Sequence, residues 1–343
     1  MCHFQSYAAT CCLAALLSAT VGCRQETGEI SGKTELQPAG GLTKVTLVLN
    51  WYPEAEHGGY YAALVHGYYK EAGLDVTIVP GGPGSPVIAK VDGKTAHFGV
   101  TNADRVLLGR AQEADVVTVM APIQTSPRCI LVHRESGIDS IRDLKDVTLA
   151  MKASATWAKF MQKKLSLTGV KIVPNAGAMA FFIDNPKYAI QGYTFSEPFV
   201  AREKGAETKE LLVSEIGFNP YTSVLVTHSS QVKQDPKIVR KMVAASIRGW
   251  KKYLDDPGQT NAHIHKLNTG MSLPALAFGV QAMKPLCITK QVRVDQLGTM
   301  NAQRWQTLAS QMVEVGSLDA GKSDPSGAFT LKFVGTDATL QQE

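Results

Sequence analysis

Charged side chains are missing from the beginning of the sequence: no Lys, Arg, Asp or Glu precedes Arg24. Residues 8–22 are apolar or small, a run too short to span a bilayer as a permanent helix but typical of an export signal. We therefore expect residues 1–22 to be a signal peptide. The polar stretch that follows is rich in Glu, Gly, Ser and Thr, which predicts a flexible linker over residues 23–42.

Cysteines are few, and none has the spacing of a metal site. Three of the six lie in the predicted signal peptide and a fourth, Cys23, directly follows it, which leaves only Cys129 and Cys287 in the folded part. Two isolated cysteines do not make a zinc motif. They could form a disulfide or stay buried as free thiols, and we favour buried free thiols.

Motifs of common enzymes are also missing. The sequence has no Gly-x-Ser-x-Gly, no His-Glu-x-x-His and no Walker loop. His263 and His265 would share a face only in an extended segment, so a solvated helix or loop is favoured over a metal site. We expect no catalytic residue, no metal ion and no cofactor.

The composition excludes other classes. With 44% hydrophobic and 19% charged residues the chain is expected to fold, and 343 residues are enough for two lobes. The net charge of +5 is spread thinly, and the densest basic stretch, residues 237–252, carries its charges at helical spacing. A solvated helix face explains that stretch, so no nucleic-acid partner is expected.

Strand and helix patterns alternate along the chain from residue 43 onward. This alternation builds parallel sheets covered by helices on both faces. The strand patterns lie at 45–49, 74–79, 97–100, 129–133, 147–151, 188–193 and 223–227, and the helical ones at 58–71, 87–94, 104–111, 155–167, 197–204, 236–254 and 295–315. The sequence thus predicts an α/β fold with mainly parallel sheets flanked by helices.

Two lobes joined by two crossings fit this order of elements. We expect lobe 1 to comprise residues 43–128 and a mostly helical second segment, 225–330, followed by a tail at 331–343. Lobe 2, residues 129–224, is inserted between the two segments. Ligands of open α/β sheets bind beyond the carboxyl ends of the strands, so the cleft between the lobes is the expected site.

Polar and aromatic side chains follow the first strand. Asn50 and Trp51 stand where this strand ends, so the indole could stack on a flat heterocycle while Asn50 binds its edge. Glu56, His57 and Tyr60 open the next helix and are expected to face the same cleft. His57 could hydrogen-bond a ring nitrogen or carbonyl. A core Trp51 and a structural His57 stay open as alternatives.

Two further loops of lobe 1 supply candidates. The turn at residues 81–85 holds one Gly-x-Gly and Pro83, which lacks an N–H donor, so a tight turn in which Ser85 touches ligand is favoured over a phosphate loop. Asn102 and Asp104 are expected to cap a helix, and Asn102 is also a candidate for ligand contact.

Lobe 2 offers a carboxylate and two aromatic rings. Glu197 precedes Pro198 in the first turn of a predicted helix. Its carboxylate could accept hydrogen bonds from an exocyclic amine and a protonated ring nitrogen, with favourable interaction with the helix dipole as the alternative. Tyr193 and Trp157 could supply the opposite stacking face or belong to the core.

Gly22 and Cys23 resemble the lipobox of bacterial lipoproteins, in which the cysteine after a small residue is acylated. The missing positive charge before the apolar run, and Thr20 where Leu is commonest, depart from that pattern. The resemblance implies that Cys23 carries lipid, including palmitate, and anchors the protein to a membrane of the cell envelope. A plain secretory signal is the alternative.

Several motifs between residues 43 and 315 carry a second resemblance. They are residues 49–53 (LNWYP), 56–61 (EHGGYY), 67–76 (GYYKEAGLDV), 93–94 with 98–100, 136–138 with 143–145, and 192–193 with 197–198. In these the chain resembles the family of importer binding proteins that includes the sulfonate-binding and thiamine-pyrimidine-precursor-binding proteins, with the fungal thiamine pyrimidine synthase as a relative.

The resemblance implies a two-lobed periplasmic-binding-protein fold of type II and a monomeric, extracytoplasmic solute-binding lipoprotein of an ABC importer. Its partners would be a membrane permease and a flat heterocycle such as a thiamine pyrimidine precursor, because Asn50-Trp51 stands seven residues before His57. Riboflavin, an alkylsulfonate or an aromatic acid are alternative ligands. The synthase carries a cysteine-rich run, whereas residues 217–226 hold no cysteine, which disfavours the enzyme.

Overall fold

A computed structural model describes residues 41–322 and 324–335. The predicted signal peptide, Cys23, most of the predicted linker and the end of the tail lie outside the described residues. Within the described part, no helix is both long and apolar enough to cross a membrane.

The first sheet has five strands in the order β2-β1-β3-β10-β4. Strands β1 and β2 are parallel over their full length, β3 is parallel to β1, and β10 is antiparallel to both β3 and β4. The strands of this sheet, which defines lobe 1, are β1 (Thr43–Val48), β2 (Leu74–Val79), β3 (Phe98–Thr101), β4 (Val116–Met120) and β10 (Val224–His228).

The second sheet, which defines lobe 2, has the order β7-β6-β8-β5-β9. Strand β6 is parallel to β7 and β8, and β5 is antiparallel to β8 and β9. Its strands are β5 (Arg128–His133), β6 (Thr148–Ala150), β7 (Lys171–Val173), β8 (Tyr188–Tyr193) and β9 (Thr208–Leu212).

Helices flank both sheets. Lobe 2 carries α5 (Thr156–Lys164), α6 (Ala178–Asp184) and α7 (Glu197–Glu203). The other helices are α1 (Gly58–Val65), α2 (Tyr68–Glu71), α3 (Val87–Asp92), α4 (Ala103–Ala111), α8 (Ser229–Gln234), α9 (Pro236–Asp255), α10 (Gly258–Leu267), α11 (Leu273–Cys287) and α12 (Ala302–Glu314). His263 and His265 lie on α10, and Cys129 and Cys287 are buried free thiols, as we favoured.

The predicted α/β architecture is confirmed: four strands of each sheet run in one direction, and one strand, β10 or β5, runs opposite to them. The cause is the path of the chain: β10 enters lobe 1 as the strand returning from lobe 2, and β5 is the first strand after the outward crossing. Each runs antiparallel to its neighbours. The single helix predicted over 58–71 is two helices, because Gly67 between them adopts a left-handed φ of 76°.

The chain passes between the lobes twice, at residues 121–127 and 217–223. The two crossings are joined to each other: Ile123 and Thr222 form an antiparallel bridge, and the Ser126 N–H donates to Asn219 Oδ1 at 2.8 Å. The two crossings therefore lie side by side where the lobes meet.

Helix α1 packs tightly on α9 through its first two residues. A Cβ on Gly58 would fall 1.9 Å from Tyr253 Cε1, and one on Gly59 would fall 2.1 Å from the Trp250 ring. This pair of glycines therefore allows the close contact between α1 and α9.

Candidate functional site

A cleft of about 930 Å³ lies between the lobes. This volume falls at the upper end of the range typical of small-molecule sites. Lobe 1 contributes residues that follow β1, β2 and β3, and lobe 2 contributes residues that follow β6, β7 and β8. The polar and aromatic lining residues include Asn50, Trp51, Glu54, Glu56, Ser85, Asn102 and Arg105 from lobe 1, and Arg128, Lys152, Asn175, Gln191, Tyr193 and Glu197 from lobe 2.

Trp51 is the exposed aromatic ring of this cleft. It follows the carboxyl end of β1 and is 39% exposed, with the Tyr52 ring edge-on at 5.4 Å. Since an indole of this exposure leaves part of its face to solvent, a planar ligand could stack on it.

Behind Trp51 lies a buried hydrogen-bonded group made of Asn50, Glu56 and His57. His57 Nε2 lies 3.0 Å from Asn50 Oδ1 and 3.2 Å from Glu56 Oε1. The Asn50 amide oxygen is an acceptor, and so is the Glu56 oxygen when that residue is ionised. The imidazole tautomer that fits both contacts therefore carries its N–H proton on Nε2. His57 is fully buried and does not line the cleft. Its role in this geometry is to orient the Asn50 and Glu56 side chains.

Ser223, in the second crossing, is bound by residues of this region through all three of its polar groups. Its Oγ donates to Glu56 Oε2 at 3.3 Å, its carbonyl accepts from Tyr60 Oη at 2.8 Å, and its N–H donates to Asn102 Oδ1 at 3.2 Å. Ser223 has a left-handed φ of 53°, which costs energy for a residue with a Cβ. Residues near the cleft in lobe 1 thus hold Ser223 of the second crossing at this positive φ.

Glu54 differs from Glu56 because no side chain or backbone group holds it. It is only 8% exposed and lines the cleft, and no donor in the described residues lies within hydrogen-bond distance of its carboxylate. Burial, the charge of Glu56 and the charge of Glu197 together raise the pKa of Glu54 well above its ordinary value. A cleft-lining carboxylate without a protein partner is available to a ligand that supplies hydrogen-bond donors.

Glu197 approaches the same cleft from lobe 2, at the start of α7. Its Oε2 accepts the Tyr193 backbone N–H at 2.7 Å. Burial raises the pKa of Glu197, although the hydrogen bond from Tyr193 and the charge of Arg128 act to lower it. Tyr193 also holds Arg128, whose guanidinium bonds the Tyr193 hydroxyl and lies 4.4 Å from the ring centroid.

The structure brings most of the expected site residues to one place. Seven line the cleft: Asn50, Trp51, Glu56, Ser85, Asn102, Tyr193 and Glu197. His57 and Tyr60 are fully buried and lie outside its lining, and Trp157 lines a smaller adjoining pocket. Ser85 Oγ closes the expected tight turn by accepting the Gly82 N–H at 2.7 Å. Asn102 precedes α4 without capping it, because its Oδ1 binds Ser223 instead.

Sequence reasoning missed the charged residues Glu54, Arg105, Arg128 and Lys152. Arg128 begins the strand β5 and pairs with Tyr193 in the antiparallel register, a relation that depends on the second lobe. A weak signal existed for Lys152, which follows a predicted strand. In the described residues, no three His, Cys, Asp or Glu side chains are grouped as they would be around a metal ion.

Two mixed α/β sheets joined by a double crossing, with a polar cleft between them, define the periplasmic-binding-protein fold. Within it, residues 54–260 match the family described as NMT1/THI5 like. Because this match covers more than half of the chain, the protein belongs to that family.

Two curated relatives are binding proteins. The riboflavin-binding protein RibY of Chloroflexus aurantiacus is 25% identical over 309 residues, 85% of this chain and 86% of the relative. The formylaminopyrimidine-binding protein of Halalkalibacterium halodurans is 24% identical over 233 residues, 64% of this chain and 68% of the relative. The 4-amino-5-hydroxymethyl-2-methylpyrimidine phosphate synthases of Saccharomyces cerevisiae are related at 22% identity.

Among solved structures, the periplasmic aliphatic sulphonate binding protein SsuA of Escherichia coli matches with a TM-score of 0.64. Sequence identity is 16%, and the alignment covers 83% of this chain and 91% of that protein. This likeness establishes the fold.

Proposed function

We propose that the protein is the extracytoplasmic solute-binding lipoprotein of an ABC importer and that it binds a small flat nitrogen heterocycle, such as a thiamine pyrimidine precursor, in the interlobe cleft. It would deliver this ligand to a membrane permease and act as a monomer without catalytic chemistry.

The observation that carries this proposal is the Glu54 carboxylate, which is buried in the cleft and has no donor partner in the described part of the chain. A ligand that presents N–H groups satisfies it, as an aminopyrimidine does through its exocyclic amine. Glu197 lines the same cleft from the other lobe, so one ligand bound there could reach both carboxylates.

A flat ring is supported by Trp51 and by the names of the two binding relatives, since riboflavin and formylaminopyrimidine are both planar nitrogen heterocycles. An alkylsulfonate fits less well, because it has neither N–H donors for the Glu54 carboxylate nor a ring to stack on Trp51.

Closure of the lobes is the expected mechanism of capture. Glu54 and Glu56 belong to lobe 1 and Glu197 belongs to lobe 2, so their like charges oppose close approach of the lobes when no ligand is bound. A ligand that donates hydrogen bonds to both sides removes this repulsion and stabilises the closed form by binding it more tightly than the open form. The paired crossings at Ile123 and Thr222 are the hinge.

A synthase activity is the alternative of another class. The binding role is favoured because the two relatives at 25% and 24% identity are binding proteins and because residues 217–226 lack cysteine.

Export and lipid attachment at Cys23 complete the proposal. Incorporation of labelled palmitate in a bacterial host, compared with a Cys23→Ser variant, tests the anchor.

Isothermal titration of the purified protein tests the binding role. Riboflavin, a 4-aminopyrimidine and an alkanesulfonate are titrated separately, and one of the two heterocycles is expected to bind. A Glu197→Gln variant should bind an aminopyrimidine at least tenfold more weakly, with little change in Tm. Binding of the alkanesulfonate alone would overturn the assignment to heterocycles.

A further inference from the structure

A small side pocket of about 120 Å³ adjoins the cleft, and its lining is predominantly basic. The two cavities share Asn102, Arg105, Arg128, Lys152, Gln191 and Tyr193 in their linings. The carboxylates of Glu54, Glu56 and Glu197 line the cleft but not the side pocket. The cations therefore line both cavities, whereas these three carboxylates are confined to the cleft.

Three cations meet at this pocket: Arg105, Arg128 and Lys152, with Asp104 as its one lining carboxylate. In the described residues, no carboxylate oxygen lies within ion-pair distance of any of these three side chains, and the Asp104 oxygens are no exception. The pocket thus keeps a net positive charge that no protein group neutralises by contact.

Arg128 is the fixed member of this group. Its guanidinium bonds the Tyr193 hydroxyl and lies 4.4 Å from the Tyr193 ring centroid and 5.1 Å from that of Trp157. A guanidinium held between two rings loses little freedom when its remaining N–H groups bind an oxyanion, and its planar donor fork matches such a group. Gln191 is also oriented, because its Oε1 accepts the Lys152 backbone N–H at 2.7 Å and leaves its amide N–H donors available.

Tyr193 fixes the spacing between the two charge regions. Its backbone N–H binds Glu197 in the cleft, and its hydroxyl binds Arg128 at the side pocket. The acidic and basic regions are therefore about one tyrosine side chain apart. A ligand that reaches both must carry N–H donors on one edge and an acceptor or anion on an arm leaving the opposite side of the ring.

We propose that the ligand is a heterocycle bearing an oxyanion arm, such as a phosphate monoester or a carboxylate, with the ring edge on Glu54 and Glu197 and the arm in the side pocket on Arg128 and Lys152. This inference rests on the proposed heterocycle-binding function and narrows its substrate class to ligands with both kinds of group.

Matched ligand pairs that differ only in the arm test it. Riboflavin is compared with its 5′-phosphate, and 4-amino-5-hydroxymethyl-2-methylpyrimidine with its phosphate monoester, by isothermal titration at constant ionic strength. Inorganic phosphate alone serves as the control for simple anion binding. In the pair that fits the cleft, the phosphorylated member should bind about 10- to 100-fold more tightly.

Single substitutions show which side chains cause the tighter binding of the phosphorylated ligand. Lys152→Gln should remove most of the preference for the phosphorylated ligand, because it should weaken binding of that ligand far more than binding of the neutral ring. Because Arg128 also packs on Tyr193, Arg128→Gln is measured only after its Tm has been compared with the wild-type value. Lys171→Gln, at an exposed position of β7 outside both cavities, is the charge-matched control and should change neither affinity.

Equal affinity for both members of a pair would overturn the oxyanion arm but keep the proposed function. If Lys152→Gln weakened the binding of both members of a pair equally, the oxyanion arm would likewise be overturned and the proposed function kept. Failure of all four heterocycles to bind would instead count against the proposed function itself. Binding of inorganic phosphate alone as tightly as the phosphorylated ring would show a simple anion site and also overturn the inference.

Discussion

Glu54 and Glu197 approach one cleft from different lobes. The pKa of Glu54 is raised by burial, by Glu56 and by Glu197. Glu197 accepts a hydrogen bond from the Tyr193 backbone, whereas Glu54 accepts none from the described residues. The two carboxylates therefore form an acidic pair that one ligand edge can neutralise. The ligand-free protein carries the cost of this pair, and that cost can be measured.

Replacement of Glu54 by Gln should make the ligand-free protein more stable and the binding weaker. The amide has nearly the same shape but removes a buried charge that no donor in the described part of the chain satisfies. We expect a gain of about 1 kcal/mol, or roughly 2–4 °C in Tm, with affinity reduced about tenfold or more. Glu135→Gln, at an exposed position, is the control for loss of one negative charge. A lower Tm for Glu54→Gln would show that an interaction of the carboxylate has been overlooked.

The stability of the ligand-free protein should fall with rising pH through these two groups. The folded-state pKa values of Glu54 and Glu197 lie above the ordinary value of 4.5, so the folded state binds their protons more tightly than the unfolded state does. Their contribution is complete below about pH 4.5 and is lost as the pH rises through the raised values. The contribution of these two groups is isolated from other titrations by a double variant, Glu54→Gln/Glu197→Gln. The quantity compared is the unfolding free energy of the wild type minus that of the double variant.

That difference is measured by urea denaturation at several pH values between 4 and 8. It should fall as the pH rises, since the wild type alone must ionise the buried pair. A difference that is independent of pH would contradict the raised pKa values. Affinity for a ligand that donates hydrogen bonds to the carboxylates should show the opposite trend and rise over the same range.

Gly59→Ala should destabilise the fold without a direct effect on the ligand. The new Cβ would overlap the buried ring of Trp250 on α9, and overpacking of this kind costs about 1–3 kcal/mol. Gly258→Ala, where the nearest atom outside the local backbone is 3.8 Å away, is the control and should be neutral or slightly stabilising. Thermal unfolding gives the stabilities, and titration well below Tm should return the wild-type affinity.

Hydrophobic periodicity was sufficient to predict the parts of the fold that have long patterns. The strands β2 and β8 and the helix α9 match their predicted bounds to within one residue, because six or more residues alternate or repeat regularly there. The strand β7 was not predicted, since three partly exposed residues carry too little pattern. The strand β4 is wholly buried and apolar except for Thr118, a pattern that is typical of a strand although none is assigned to it in the sequence analysis.

The candidate site was predicted less completely for a different reason. Asn50, Trp51 and Glu197 stand at strand ends, and a strand end can be recognised locally in the sequence. The importance of Glu54 lies in the absence of a partner, which depends on every residue folded around it. The same holds for Arg128, because its position is set by Tyr193 and Trp157, which lie 65 and 29 positions later in the chain.

Two substitutions at Ser223 should separate backbone strain from the hydroxyl contact. Both Ser223→Ala and Ser223→Gly remove the hydrogen bond to Glu56, but only glycine tolerates the φ of 53° without penalty. The alanine variant should therefore be less stable than the glycine variant by about 1 kcal/mol in urea denaturation. A glycine variant of equal or lower stability would show that Ser223 is not strained.

Trp51 should report ligand binding directly, because the chain has four tryptophans and the other three are buried. A stacked heterocycle should change the fluorescence of the 39% exposed Trp51, and Trp51→Phe should abolish most of that change while keeping a stacking ring. Trp51→Ala should weaken binding about 3- to 10-fold and change stability by less than about 0.5 kcal/mol. Trp157→Ala is the contrasting variant: Trp157 is 5% exposed, so its loss should cost about 3–5 kcal/mol of stability. An undiminished fluorescence change in Trp51→Phe would place the ligand elsewhere in the cleft, away from the end of β1.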